Sequence, residues 1–430
     1  MKKVFYLIAA CAVIASAASC EKINDLVTGK TTNEQGLVDD NGKKLSVNQQ
    51  ESKVEETADI LMANFDVEVW KGDYELVMNT YVTLSQKEID GSVVNEKLNQ
   101  ITDLWTSVSG EDPNEVATTI VKLSDLKGHF TENAEGVMEY EEAKDLQITV
   151  LAGEDKVTAT FSVEDSAPMI KIYDGEKSKI SAYVPSLVNS SLSIGANTIA
   201  KLKVQLNPVD KNGDGLLDEK EDRIDLTYKM DVSAYTLEVS RLAYASEKAT
   251  VSAKLSRGKQ LLVGIDAGAS YKWAQETYGE ETYETVNPES GYATLDLAGK
   301  MQFRGNLPDY NKVQEATRNM SEALYGEVAD EAKIREAVQA YEDAFGFGVY
   351  YDGKNTLQAT LGFEPIKYID GEYSRWTVDP VIRFADGTSM GMEELSQEQD
   401  IQRVAEKIQN WILGIQQYLG IGQEQPEQLK

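Results

Sequence analysis

The sequence predicts an α+β protein in which a central antiparallel β-sheet region lies between helical segments. Apolar residues recur at helical spacing in residues 46–107 and then alternate with polar residues from about 118 to 305. Apolar residues return to helical spacing at residue 308. A short hairpin set follows, and the chain is predicted to finish with a long C-terminal amphipathic helix. Because helices and strands are grouped along the chain, the sheet is expected to form a segment of its own.

Residues 1–19 are predicted to be a secretory signal. A positive start (MKK) precedes a short apolar core (VFYLIAACAVI) and a run of small residues that ends at Cys20. The core is shorter than the roughly 20 apolar residues that span a bilayer as a helix. Ordinary cleavage after Ala17 would release a soluble chain, but it would leave the placement of Cys20 unexplained. The AASC stretch resembles a bacterial lipobox, which implies cleavage before Cys20 and a lipid on its thiol.

A polar tether and a helical segment follow the signal. Residues 20–45 are rich in Gly, Asn and Asp, which is typical of a flexible linker. Residues 46–110 are predicted to be helical, beginning where Ser46 and Gln49 have the spacing of a capping box. This segment either forms a domain of its own or packs on the sheet.

Residues 111–307 are predicted to form an antiparallel β domain. In Ala200–Leu206 and in Ile224–Val232, apolar and polar residues alternate strictly. Strands with one apolar and one polar face belong to a sheet with one side in water. The apolar side must therefore be covered by another sheet, by the helices or by a ligand.

Residues 308–430 are predicted to combine helices with β-hairpins. Helices are expected to start at Pro308–Asp309 and at Asp330, where capping residues precede apolar residues at helical spacing. Short hairpins with Asp-Gly turns follow at 347–387. The last and clearest helix begins at Ser396, and its apolar face is expected to pack in the core. That face carries Ile401, Val404, Ile408, Trp411, Ile415 and Leu419.

The composition argues against several classes of function. The chain carries 72 acidic and 42 basic residues, a net charge of −30, which disfavours nucleic acid because phosphate contacts need Lys and Arg. Cys11 lies in the signal and Cys20 is the only other cysteine, so neither a disulfide nor a thiolate zinc site is expected. The single histidine, His129, argues against a His-cluster metal site and a Ser-His-Asp triad. The chain has no phosphate-binding glycine loop, G-x-S-x-G or H-E-x-x-H motif, so an enzyme is not expected and no catalytic residue is nominated.

Residues 210–221 (DKNGDGLLDEKE) match the twelve-residue EF-hand calcium loop. Side-chain oxygens fall at positions 1, 3, 5, 9 and 12, and position 7 offers its backbone carbonyl. These candidate metal ligands are Asp210, Asn212, Asp214, Leu216, Asp218 and Glu221. Gly215 occupies position 6, where the chain must turn sharply. The alternative is an acidic turn that binds no metal, since Asp, Asn and Gly are common in turns.

The flanks of this loop indicate a structural calcium ion rather than a sensor. Alternating strands precede and follow the loop, so it is expected to connect a β-hairpin. No second loop with this spacing occurs to form the pair that drives sensor opening. Bound Ca²⁺ would relieve the repulsion among four acidic side chains and act as a clip.

Aromatic residues are frequent between Trp273 and Tyr283 (WAQETYGEETY), in a stretch predicted to lie outside any clear strand. Such a loop could stack on sugar rings, or its aromatic residues could pack back onto the core. Paired carboxylates for glycoside hydrolysis cannot be singled out among 72 acidic residues.

The overall arrangement resembles uncharacterised Bacteroidetes-type cell-envelope lipoproteins. The resemblance rests on the signal ending in SCEK (19–22), the polar tether, and the strand series KISAYVPSLV (179–188), TIAKLKVQLNP (198–208) and TYKMDVSAYTLEVSRLAY (227–244). It implies an extracytoplasmic location on the outer membrane, with the N-terminal lipid as anchor, and it implies no activity.

Three functions fit these features. The first is a non-enzymatic lipoprotein with a binding or structural role, in which calcium rigidifies a β domain. The second is a carrier that holds a lipid or other hydrophobic ligand in a cavity between sheet and helices. The third is a glycan- or peptide-processing enzyme with facing carboxylates in a cleft. A glycan, a lipid and a protein all stay open as the partner.

Overall fold

Strands dominate the part of the chain that the structure describes, with 17 strands against three helices. The computed structural model describes residues 37, 39–64, 76, 127–152, 154–174, 177–217, 221–245, 247–278, 281–326, 330–370 and 373–391. These residues belong to two compact units. Unit 1 contains residue 76 and the described residues within 127–258, and unit 2 contains those within 37–64 and 259–391.

The predicted α+β class is wrong, because the protein is mostly β. The described part contains three helices, α1 (Val47–Asn64), α2 (Tyr310–Tyr325) and α3 (Glu331–Ala344). The stretch predicted as a short hairpin set at 347–387 instead contributes strands of up to 12 residues. Strand pairing therefore continues well beyond residue 305, and the helical spacing after 308 marks an insertion into a sheet.

Several predicted features lie outside the described residues. They are the signal at 1–19 with Cys20, the first part of the tether, the helices expected after residue 64, and the C-terminal helix from Ser396. The end of the predicted tether is described, and it is bonded to unit 2. The backbone N–H of Asp40 donates to the carbonyl of Asn355 at 3.1 Å, and that of Leu45 donates to the Gln358 side chain at 2.8 Å. Residues 39–45 therefore belong to the folded body of unit 2.

The strands of unit 1 form an antiparallel sheet with two short parallel pairings. The strands are β1 (Gly128–Glu132), β2 (Met138–Glu141), β3 (Leu146–Ala152), β4 (Asp155–Asp174), β5 (Lys177–Ile194), β6 (Asn197–Val209), β7 (Leu216–Leu217), β8 (Arg223–Val232), β9 (Tyr235–Ala245) and β10 (Lys248–Arg257). Antiparallel pairs join β1–β2, β3–β4, β4–β5, β5–β6, β6–β8, β8–β9 and β9–β10. The parallel pairs are β1–β3 and β4–β7.

The core of unit 1 lies on one face of this sheet, because alternation sends every second side chain to the same side. Ile148 and Val150 of β3 and Val157 of β4 are at most 2% exposed. Phe161 and Val188 pack in the same cluster. The intervening positions are largely polar, and their side chains lie on the opposite face.

Unit 2 is a second antiparallel series in which each described strand pairs with the next one along the chain. Its strands are β11 (Gln260–Tyr278), β12 (Glu281–Leu297), β13 (Met301–Leu307), β14 (Gly346–Tyr351), β15 (Ala359–Asp370), β16 (Tyr373–Phe384) and β17 (Ser389–Gly391). The core below β13 and β14 includes Met301, Val349 and Tyr351, and Val54 of α1 packs against it.

The helices α2 and α3 are inserted between the paired strands β13 and β14. Their N-caps are Asp309 and Asp330, as the sequence predicts. The Asp309 carboxylate accepts two backbone N–H groups of the first turn, and the Asp330 carboxylate accepts one. Ile334 and Val338 of α3 are buried against Phe363, Trp376 and Val378 of β15 and β16. The apolar face of α3 therefore covers the long hairpin of unit 2.

Candidate functional site

The predicted calcium loop connects two strands of unit 1. β6 and β8 pair antiparallel from Ala200 opposite Val232 to Val209 opposite Arg223, and residues 210–222 link their ends. The loop is therefore the connection of a β-hairpin.

Within the loop, the side chain of Asp210 organises the first turn. Its two carboxylate oxygens accept the backbone N–H of Gly213 at 2.5 Å and that of Gly215 at 2.8 Å. Both glycines have positive φ, 77° and 81°, a conformation that other residues adopt rarely. The loop thus curls around the carboxylate at position 1.

Three further ligand positions meet around the same turn. The Asn212 carbonyl oxygen accepts the backbone N–H of Asp214 at 3.0 Å. The Asn212 amide donates to the Asp214 carboxylate at 3.3 Å and to the Glu221 carboxylate at 2.6 Å. Positions 1, 3, 5 and 12 are therefore brought together, while Asp218 at position 9 lies outside the described residues.

Asp222, which the sequence reasoning did not single out, holds the start of the loop through a hydrogen bond. It is 2% exposed, and its carboxylate accepts the backbone N–H of Lys211 at 2.9 Å. Its position directly after the last ligand of the motif could have drawn attention to it. Asp222 ties the two ends of the loop together.

The second half of the loop is held against another strand. Leu216 and Leu217 form β7, which pairs parallel with Met169 and Ile170 of β4. Leu217 is 5% exposed, so this half of the loop contributes a buried apolar side chain. The backbone of Leu216, which would offer the carbonyl ligand at position 7, is therefore positioned by β4.

The chemistry of these groups suits a hard cation, because all the predicted ligands are oxygen atoms and two glycines permit the sharp turn. Asp210 contributes both carboxylate oxygens to N–H groups of its own loop, which preforms the turn. Among the described residues, no group of three or more His, Cys, Asp or Glu side chains is arranged to hold a metal ion. A complete shell would require Asp218 and a rotation of the Asn212 amide oxygen toward the centre.

A second candidate site is an open groove of about 390 Å³ on the polar face of unit 1. We call it the polar groove. It is lined by Asp145, Thr160, Phe161, Ser162, Asn189, Ser190, Ser191, Lys201, Leu202, Lys203, Lys229 and Asp231. A register shift in β5 between Leu192 and Ser193 lies next to it, and such bulges increase local twist.

Strand register arranges the polar side chains of the groove in two rows across β4, β5, β6 and β8. One row runs through Thr160, Ser191, Lys201 and Asp231, and the other through Ser162, Asn189, Lys203 and Lys229. The hydroxyls of Thr160 and Ser191 are 2.6 Å apart and share a hydrogen bond. Sequence reasoning missed this site because its rows exist only once the register is known.

The charges in the groove are only partly compensated. Lys229 lies 3.5 Å from Asp231, whose other carboxylate oxygen accepts the Thr236 hydroxyl at 2.6 Å. Lys201 and Lys203 are exposed and have no ion-pair partner among the described residues. The groove therefore presents net positive charge on a protein whose net charge is −30.

His129 lies at one end of this polar face, on β1. Its Nε2 is 3.1 Å from the carboxylate of Asp145, which also lines the groove. The pair is part-buried. It can orient Asp145 at the rim of the groove.

The aromatic stretch between Trp273 and Tyr283 was predicted to lie outside any strand, and this is wrong. It belongs to the hairpin of β11 and β12, in which Trp273 lies opposite Val286. Tyr271, two residues earlier, is 1% exposed. The stretch is therefore the extended end of a long hairpin rather than a separate loop.

Unit 2 has an open pocket of about 560 Å³ along one side of α2. Polar and charged residues such as Gln314, Arg318 and Glu322 line much of it, together with Tyr310 and Val313. Neither this pocket nor the polar groove is an enclosed apolar chamber of the kind that a lipid carrier needs.

No helix in the described part of the chain is both long enough and apolar enough to cross a membrane. Comparison of the chain with protein-family models, with curated proteins and with solved structures finds no match.

Proposed function

We propose that this protein is a lipid-anchored lipoprotein of the cell envelope, held on the outer membrane through Cys20, with a non-enzymatic binding or structural role. The secretory signal and the lipobox-like stretch before Cys20 support the anchor. The described pockets are open to solvent, which supports a binding surface over an enclosed lipid-carrying chamber.

The proposal includes a structural Ca²⁺ in the loop at 210–221. The observation that carries it is the convergence of Asp210, Asn212, Asp214 and Glu221 around one turn. The ion would neutralise the mutual repulsion of these acidic groups. Because β7 is part of the loop and pairs with β4, the ion would clip the β6–β8 hairpin to a third strand.

Calcium is expected to stabilise unit 1 by mass action. Extracellular sites of this kind have a Kd of roughly 10⁻⁴ to 10⁻³ M. At about 10 mM free Ca²⁺ this affinity corresponds to about 1.4–2.7 kcal/mol. For a unit of this size the expected rise in Tm is therefore about 3–10 °C.

The experiment is thermal unfolding of the full-length protein in detergent, with EDTA and then with added Ca²⁺. Glu221→Gln should abolish the rise in Tm, because an amide cannot replace the charged, bidentate carboxylate at the last position of the motif. Glu154→Gln is the matched control, since Glu154 is an exposed acid in another hairpin turn of unit 1 and should leave the rise intact. An unchanged Tm in the wild-type protein would show that the loop is an acidic turn without a metal.

The anchor is tested separately by labelling cells with a radioactive fatty acid. The wild-type protein should carry label and fractionate with membranes, and Cys20→Ser should lose the label. Label that persists in Cys20→Ser would disprove the assignment of the lipid to this thiol.

A further inference from the structure

We propose that the polar groove of unit 1 binds a segment of an acidic polysaccharide, one that carries carboxylate or sulfate groups. The inference deepens the binding role proposed above by naming the ligand class, and it does not depend on bound calcium.

The first argument is the contrast of charge. The chain has 72 acidic residues against 42 basic ones, so most of its surface repels anions. In the groove, three lysines lie close together on the adjacent strands β6 and β8. Lys203 faces Lys229 across the two strands, and Lys201 is two residues from Lys203 on β6. An anionic ligand would therefore be drawn to this face in preference to the rest of the protein.

The second argument is that this arrangement is unfavourable without a ligand. Lys203 and Lys229 lie directly opposite each other on β6 and β8. Like charges at directly opposite positions destabilise an antiparallel pair. A protein rich in acidic residues could readily place Asp or Glu opposite Lys203, as it does with Asp231 opposite Lys201. Local rules broken in this way are typical of functional positions.

The third argument concerns the polar groups beside the lysines. Thr160, Ser162, Asn189 and Ser191 present hydroxyl and amide groups along β4 and β5. These groups can both donate and accept hydrogen bonds, which suits the hydroxyls of sugars. Strands lie about 4.8 Å apart, so four strands extend over roughly 14 Å, the length of a short oligosaccharide.

The topology favours a polysaccharide over an acidic peptide. β5 is paired with β4 and β6, and β6 is paired with β5 and β8, so the backbone in the groove is already hydrogen-bonded. A peptide cannot add as a further strand at this place. Recognition must come from side chains above the sheet, which are three ammonium groups, hydroxyl and amide groups, and the two carboxylates of Asp145 and Asp231.

The test is binding of defined polymers to the full-length protein in detergent, measured by calorimetry. The probes are heparin, polygalacturonate, neutral dextran and poly-glutamate. We expect binding of at least one of the two acidic polysaccharides, weakening as NaCl is raised because the contacts are charged and exposed. Dextran and poly-glutamate are expected to bind at least tenfold more weakly.

The variant Lys201→Ala/Lys203→Ala should weaken binding of the acidic polysaccharide by about tenfold or more. Lys312→Ala/Lys333→Ala is the matched control, because it changes the net charge equally at exposed positions on α2 and α3. The control should bind as the wild type does. Circular dichroism and Tm check that each variant is folded.

Several results would overturn the proposal. These are absence of binding to both acidic polysaccharides, equal binding of dextran or poly-glutamate, and equal losses in the two double variants. Binding that disappears in EDTA and ignores Lys201→Ala/Lys203→Ala would assign the anion to the loop at 210–221 instead. A missing calcium effect on Tm with intact lysine-dependent binding would refute the calcium site and leave the groove assignment standing.

Discussion

Glu342→Ala is expected to lower the free energy of unfolding of unit 2 by about 2 kcal/mol. Glu342 lies on α3, and its side chain is 10% exposed. One carboxylate oxygen accepts the backbone N–H of Phe363 at 2.5 Å, and the other accepts Nη1 of Arg383 at 2.5 Å. The carboxylate therefore joins α3 to both β15 and β16.

The expected loss of unfolding free energy is the sum of the costs at the two groups that would lose Glu342 as a hydrogen-bond acceptor. The Phe363 N–H would stay part-buried without an acceptor, which costs about 1–3 kcal/mol. Arg383 is 39% exposed, so water would solvate much of its charge, and its share is held to about 1 kcal/mol or less. The hydrogen bond to Glu342 raises the pKa of Arg383, so its guanidinium stays charged throughout the experiment.

The assay is thermal and urea unfolding followed by circular dichroism. A loss of about 2 kcal/mol corresponds to a fall in Tm of about 4–8 °C. Glu342→Gln keeps an acceptor for the Phe363 N–H and should lose about half as much. Glu336→Ala, at an exposed position on the same helix, should change stability by less than about 0.5 kcal/mol. Equal effects of Glu342→Ala and Glu336→Ala would refute the reasoning.

Two further predictions concern unit 2. Gly268→Ala should destabilise unit 2 by about 1–3 kcal/mol in urea unfolding, because the added Cβ would lie 2.5 Å from Cε1 of Tyr292. Gly264→Ala on the same strand is the control and should be nearly neutral, since the nearest atom to its added Cβ is 3.4 Å away. Similar losses in the two alanine variants would contradict this. The hydrogen bond from Lys300 lowers the pKa of Glu56 in the folded protein below its ordinary value of 4.5. The pair therefore stabilises the folded state fully at pH values above the pKa of Glu56 in the unfolded chain. This stabilisation is lost as the pH falls through the pKa of Glu56 in the folded protein. Glu56→Gln should therefore lower Tm at pH 7, with a gap to wild type that closes below pH 4.5, and a gap independent of pH would disprove the linkage.

The parts of the fold that were predictable are those with a local cause. Strict alternation in Ala200–Leu206 and Ile224–Val232 matches the strands β6 and β8, because each has one buried and one wet face. The caps at Asp309 and Asp330 follow from the preference of Asp for unsatisfied N–H groups at a helix start.

The misassigned parts depend on distant partners. The end of the β11–β12 hairpin carries aromatic and acidic residues without alternation, so the segment around Trp273 lacks the period of a strand although cross-strand pairing makes it one. The helical spacing between 308 and 346 is real, but only the pairing of β13 with β14 shows that these helices are inserted into a sheet.

The two candidate sites also differ in whether their residues are close in sequence or only in the folded structure. The loop at 210–221 could be singled out as a candidate calcium site because its proposed ligands lie within twelve consecutive residues. The polar groove could not, since Lys203 and Lys229 become neighbours only through the register of β6 and β8, and Ser162 and Asn189 only through that of β4 and β5.

The strand order of unit 2 also bears on how this unit reaches its native state. From β11 to β17, every described strand pairs with the strand that follows it in the chain. Such local pairing gives the strand series a low contact order, which favours rapid folding. Within this series the longest closure is across residues 308–345, and closure entropy grows only with the logarithm of loop length, by about 0.6 kcal/mol per doubling. The strands of unit 2 can therefore assemble hairpin by hairpin in chain order, and only the segment at 39–64 must close a much longer loop to reach them.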